Sequence, residues 1–127
     1  MKFRIARHTN KLDSIVDFYT HIIGLDKLGE FVDHDGYNGV FIGRAEKDWH
    51  LEFTSSNTDP KHIFDEDDIL VFYPENKLEY EALLARINTN NITRKIPKNP
   101  YWKENGFAFS DPDGYIIVVS PLKIKAL

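Results

Sequence analysis

The chain has 127 residues, 42% of them hydrophobic and 13% aromatic, enough for one domain with a real core. A net charge of −4 and a pI near 5.7 argue against nucleic acid or an anionic membrane as partner. With no cysteine there is no disulfide framework, thiolate nucleophile or thiolate metal site. Met1-Lys2-Phe3-Arg4 lacks the apolar run of a signal peptide, and no apolar stretch is long enough to cross a bilayer, so a cytoplasmic protein is expected.

Phe3 to His8 alternates in character and reads as a first strand. Asn10 is the expected N-cap of a helix whose apolar face is Leu12, Ile15, Val16, Phe18, Tyr19, Ile22 and Ile23, with Gly24 closing it. Phe18 and Tyr19 are expected in the core. Three strands follow, Asp26 to Val32, Gly39 to Gly43 and Trp49 to Thr54, separated by His34-Asp35-Gly36 and the polar run Arg44 to Asp48. Ser55 to Asp68 is polar, contains Pro60 and five acidic residues, and reads as a surface linker.

The same order then repeats. Ile69 to Tyr73 is an apolar strand, and Pro74 sits just before or at the start of a helix with Leu78, Leu83, Leu84 and Ile87 as its stripe. Asn88 to Asn91 is the helix exit, Ile92 to Ile96 a short strand, and Pro97 to Asn105 a loop. Phe107 to Ser110 and Tyr115 to Ser120 form a hairpin closed by Asp111-Pro112-Asp113-Gly114, in which Pro presets φ and Gly supplies a left-handed position. The expected organisation is one domain of two βαβββ modules, residues 1–56 and 67–127, joined by a linker over residues 57–66.

Leu12 to Tyr19 ending in Ile23-Gly24-Leu25, His50-Leu51-Glu52-Phe53, and Phe107 to Val119 together resemble the vicinal oxygen chelate superfamily, which includes glyoxalase and bleomycin-resistance proteins. The runs His50 to Thr54, Ile69 to Tyr73 and Asn99 to Gly106 resemble its YycE-like branch. The resemblance implies an α+β fold, two βαβββ modules curling into a barrel-like cleft for a small ligand and, in many members, a divalent metal. It also implies a possible homodimer. Fold alone does not settle function.

In the metal-dependent members, ligands come from the first and last strands of each module: His or Gln, Glu, His, Glu. Aligned on the resemblance, these positions hold Arg4, Glu52, then Asp68 (or Ile69 or Leu70 with a shifted strand), then Val118. Arginine stays protonated and has no lone pair for a metal, so no metal or other cofactor is expected. Arg4 and Glu52 would instead form a charge-assisted pair. An alternative metal set would be His8, Glu52 and Asp68. His50 is expected on the opposite strand face from Glu52, and His21, His34 and His62 are expected to face solvent.

His8 shares a strand face with Arg4 and is a candidate acid, base or hydrogen-bonding group, or simply a strand-end histidine. Tyr101 and Trp102, in the loop before the final hairpin, and Tyr37, after the Asp35-Gly36 turn, are candidate aromatic walls for a ligand; Trp49 is a weaker one, and Trp102 serves equally as a core plug. Three functions fit: a metal-independent binding protein holding a hydrophobic or planar compound, with Arg4, His8, Glu52, Tyr37, Tyr101 and Trp102 as ligand contacts; a glyoxalase-like lyase or isomerase with Glu52 as base; or an interaction domain whose cleft is closed by side chains.

Overall fold

A computed structural model describes residues 1–124 and divides the chain into two compact units, Met1–His62 and Ile63–Leu127. No helix among the described residues is long and apolar enough to cross a membrane.

The first unit begins with strand β1 (Phe3–His8), followed by helix α1 (Leu12–Asp17), which continues into a π-helical turn over Phe18–Ile22. The expected cap is displaced. Lys11, not Asn10, occupies the cap position without a side-chain bond, and the Thr9 hydroxyl accepts the Lys11 N–H at 3.0 Å. The wider turn is marked by Ile23 N–H reaching back five residues to the Phe18 carbonyl. Gly24, at φ 87°, ends it in the left-handed region that glycine enters at no steric cost.

Three strands follow: β2 (Asp26–His34), β3 (Tyr37–Gly43) and β4 (Trp49–Ser55). The β2–β3 turn places Asp35 at φ 51° and Gly36 at φ 84°, the doubly left-handed geometry that suits a twisted hairpin. The sheet order is β1-β4-β3-β2, with β1 parallel to β4 and the other pairs antiparallel. Strand alternation gives this sheet two faces. Val40, Ile42, Leu51 and Phe53 are buried on one, packed against Ile15, Phe18, Tyr19 and Ile22 of the helix, with the Tyr19 and Phe53 rings stacked at 5.0 Å.

The second unit has β5 (Ile69–Phe72), α2 (Lys77–Thr89), a short α3 (Pro100–Asn105), β6 (Phe107–Ser110) and β7 (Ile116–Val119). Its sheet order, β5-β7-β6, repeats that of the first unit, with β5 parallel to β7. The expected fourth strand over Ile92 to Ile96 is reduced to a single bridge, Lys95 to Ala108. Asn91 enters at φ 53° and Pro97 follows, so little extended chain is left to pair. Pro74 lies outside the helix. α2 starts at Lys77 behind Asn76, whose side chain accepts the Glu79 N–H at 2.8 Å. Leu83 and Ile87 are buried, but Leu78 is 78% exposed, being about 140° around the helix from Leu83.

The Asp111–Gly114 turn is built by one carboxylate. Asp111 Oδ1 accepts the N–H groups of Asp113 (2.9 Å) and Tyr115 (3.0 Å), while Gly114 N–H bonds the Asp111 carbonyl and Gly114 takes φ 96°. The chain before β5 packs on this hairpin, with the Phe64 and Tyr115 rings 4.6 Å apart.

Candidate functional site

The helix-free face of the first unit's sheet carries the polar side chains. Register fixes which residues share it: Arg4, Ala6 and His8 lie opposite His50, Glu52 and Thr54, and Gly43, Phe41 and Gly39 flank these from β3. Ala6 is exposed at its centre. His50 therefore stands on the same face as Glu52, contrary to expectation. The strand period is two, so residues 50 and 52 point the same way.

Arg4 binds this group together. Its Nε–H donates to His50 Nε2 at 2.9 Å, its Nη1 lies 3.8 Å from Glu52 Oε2, and its guanidinium sits 4.8 Å from the Phe41 ring centroid. A guanidinium can only donate, so His50 Nε2 carries the lone pair and Nδ1 the hydrogen. The Arg4–Glu52 contact is an ion pair longer than a hydrogen bond, and the two partners differ in exposure, 50% for the Arg4 side chain against 14% for Glu52. The Phe41 ring also meets His50 edge-on at 5.8 Å. The contact over an aromatic face adds about 0.5–1 kcal/mol at an exposed site.

His8 occupies the far end of the same face. Its Nε2 is 3.0 Å from Ser56 Oγ, and its ring centroid is 6.2 Å from that of Tyr37. Tyr37 is the first residue of β3 rather than a loop residue, and is 47% exposed. The Phe31 ring closes this end. It lies over Gly39, where a Cβ would come within 2.2 Å of it. Neither Ser56 nor Phe41 was singled out by the sequence; alternation along the chain from Glu52 marks Ser56, whereas Phe41 joins the face through the pairing of β3 with β4.

The other expected site residues lie in the second unit. Tyr101 and Trp102 are in α3, not in a loop. Asn99 caps that helix by accepting the Tyr101 N–H, and Pro100 occupies its first turn. Their rings meet edge-to-face at 4.9 Å; Tyr101 is 53% exposed and Trp102 half-buried. Asp68 is exposed in the turn before β5, its Oδ2 accepting the Asp65 N–H at 3.1 Å. Ile69, opposite Ile116, is the register equivalent of Arg4, opposite His50; Val118 is the equivalent of Glu52. Of the remaining histidines, His21 pairs with Asp17 at 2.6 Å and is exposed, as is His34 at the end of β2. His62 differs from expectation: it is half-buried, with Nε2 shielded from solvent.

The donor set does not fit a divalent metal of the superfamily's kind. Two of the four positions, Ile69 and Val118, are apolar, and a third is a permanently charged arginine. Among the described residues no three His, Asp or Glu side chains are grouped so as to hold a metal ion.

Two family models cover most of the chain: the YycE-like N-terminal domain over residues 3–54 and the YycE-like C-terminal domain over residues 67–120. The protein YycE of Bacillus subtilis (strain 168) is 39% identical over 120 residues, covering 92% of this chain and 85% of its own. The crystal structure of a YycE protein of unknown function from Bacillus subtilis, a candidate glyoxalase/fosfomycin resistance protein, matches at TM-score 0.82 and 37% identity, covering 99% of this chain and 91% of that one. Two more distant structures share the fold. The trypanothione-dependent glyoxalase I of Leishmania major has TM-score 0.70 and 22% identity, over 92% of this chain and 83% of its own. TnmS3, an antibiotic binding protein from Streptomyces sp. CB03234, has TM-score 0.65 and 21% identity, over 94% and 93%. With its two-sheet α+β architecture and both family models matched in order, the chain belongs to the YycE-like family of the vicinal oxygen chelate superfamily.

Proposed function

We propose that this protein is a metal-independent small-molecule-binding protein whose ligand, a hydrophobic or planar compound, rests on the Arg4–Glu52 face of the first unit. The observation that carries this reading is the guanidinium of Arg4 beside Glu52, bonded to His50 and stacked over Phe41. It puts a fixed positive charge where metal-binding relatives carry a ligand, next to an aromatic ring that offers a flat apolar surface. An antibiotic binding protein among the structures of the same fold is in keeping with it. Differential scanning fluorimetry with planar aromatic compounds, in EDTA, tests the reading. Saturable stabilisation without product formation by mass spectrometry is the expected result. Absence of any stabilising compound would instead favour an interaction domain.

A second reading is favoured by the burial of Glu52. A carboxylate only 14% exposed and 3.8 Å from a guanidinium has the parts of a proton-shuttling base with an electrostatic partner for a developing enolate, as a glyoxalase-like lyase or isomerase requires. In that case Glu52→Gln abolishes turnover and leaves the fold intact. The proposal places the protein in the cytoplasm as a homodimer, in keeping with Phe3 and Ile5, 64% and 51% exposed on edge strand β1. Light scattering that returns a monomer mass overturns the dimer.

A further inference from the structure

The helix-free face of the first sheet has a polar group at each end, and the row between them runs Ala6, Glu52, Phe41 across β1, β4 and β3. At one end, Arg4 spends its Nε–H on His50, and among the described residues its two Nη groups have only the 3.8 Å ion pair with Glu52. Guanidinium Nη groups of this kind form a planar fork that fits a carboxylate or phosphate. At the other end, His8 and Ser56 stand 3.0 Å apart with Tyr37 beside them; the Ser56 hydroxyl accepts the Thr58 N–H at 3.2 Å and donates to the Thr58 carbonyl only at 3.4 Å, a weak bond that a ligand acceptor can replace. Of the middle row, Ala6 is exposed and the Phe41 ring lies beneath the Arg4 guanidinium, while the Phe31 ring, 5.9 Å from that of Phe41, stands over Gly39 in the row of His8. Arg4 and His8 are four residues apart on one strand, so the two ends are separated by about 13 Å.

Resting on the binding reading above, we infer that this face takes a flat, elongated aromatic compound with an anionic group at one end and a hydroxyl or carbonyl at the other. The anionic end meets the Arg4 fork, whose half-exposed side chain stands further into solvent than Glu52. The neutral end meets His8 and Ser56. The ring system lies along β1 over Ala6, where the lack of a larger side chain leaves room, with its electropositive edge toward Glu52. Ser56 thereby becomes a ligand-reading residue, and Ala6 a residue that sets the thickness of the ligand.

Three probes of one shape test this: 4′-hydroxybiphenyl-4-carboxylate, biphenyl-4-carboxylate and 4-phenylphenol, titrated calorimetrically into the full chain in EDTA. The two-ended probe is expected to bind about tenfold or more tighter than either one-ended probe. Arg4→Met is expected to remove the advantage of the carboxylate alone, Ser56→Ala that of the hydroxyl alone, and Arg4→Lys to retain part of the former. Thermal melts of each variant check that the fold is kept, and Ala6→Phe should weaken all three probes together. Equal affinity for the three probes, or variants that weaken them without this selectivity, overturns the two-ended inference while leaving small-molecule binding in place. Failure of all three probes to bind overturns both.

Discussion

In the first unit β1 lies beside β4 with Arg4 opposite His50, two residues before Glu52; in the second, β5 lies beside β7 with Ile69 opposite Ile116, two residues before Val118. The backbone plan is the same, down to a parallel first pair and the sheet order. The chemistry is opposite. One face presents a guanidinium, two imidazoles and a carboxylate near solvent; the positions equivalent to Arg4, His50 and Glu52 in the other are Ile69, Ile116 and Val118, with Val118 fully buried. A duplicated scaffold need not keep duplicated sites. Here Arg4, His50 and Glu52 of one unit have aliphatic counterparts in the other.

Exchanging the two characters should therefore be costly in one direction and cheap in the other. Val118→Glu places an unpaired carboxylate at a position with no solvent access and should destabilise the protein by more than about 3 kcal/mol, read from urea unfolding midpoints. Stability within about 1 kcal/mol of the parent would mean that the second face is open after all. The reciprocal change, Glu52→Val, removes one partner of a half-exposed ion pair and should cost less than about 1 kcal/mol.

The two glycines at matching places sharpen the contrast. A Cβ at Gly106 would stand 2.5 Å from Val118 Cγ1 and 3.1 Å from the Val119 carbonyl oxygen, whereas at Gly39 its nearest neighbours would be atoms of the Phe31 ring, from 2.2 Å. Val118 is fully buried and the carbonyl belongs to a strand, so Gly106→Ala should cost about 1–3 kcal/mol. Gly39→Ala should cost less, because the Phe31 ring is the mobile end of a side chain near the open face. Thermal melts of the two variants give the order directly, and Gly39→Ala as the more damaging change would contradict it. The smallest effect on stability is expected from Arg4→Met, within about 1 kcal/mol, although it should weaken anionic probes most.

How much of this was legible in the sequence differs from residue to residue. Asp111-Pro112-Asp113-Gly114 announced its hairpin because the geometry is local: one carboxylate and one glycine satisfy it. Phe18 and Tyr19 were readable as core from helical spacing, and both are buried. Ile92 to Ile96 has strand composition, yet only Lys95 pairs, since strand formation depends on a partner edge and on the flanking Asn91 and Pro97. Pro97 to Asn105 read as a loop, yet Pro100–Asn105 is helical, capped by Asn99 with Pro100 in its first turn; six residues are too few for a periodic signal. At the candidate site, Arg4 beside Glu52 was within reach of the sequence. The bond from Arg4 to His50 was missed because His50 was expected on the opposite strand face, although a period of two puts residues 50 and 52 on the same one.

In the proposed reading, Arg4 stands on the first face where metal-dependent members of the superfamily carry a ligand. The most direct test of that reading is calorimetric titration of 4′-hydroxybiphenyl-4-carboxylate into untagged protein, once in EDTA and once with saturating manganese or zinc, alongside elemental analysis of the same sample. The account predicts the same affinity in both titrations and metal far below one equivalent per chain. Near-stoichiometric metal in the purified protein, or binding that appears only when metal is added, would contradict it.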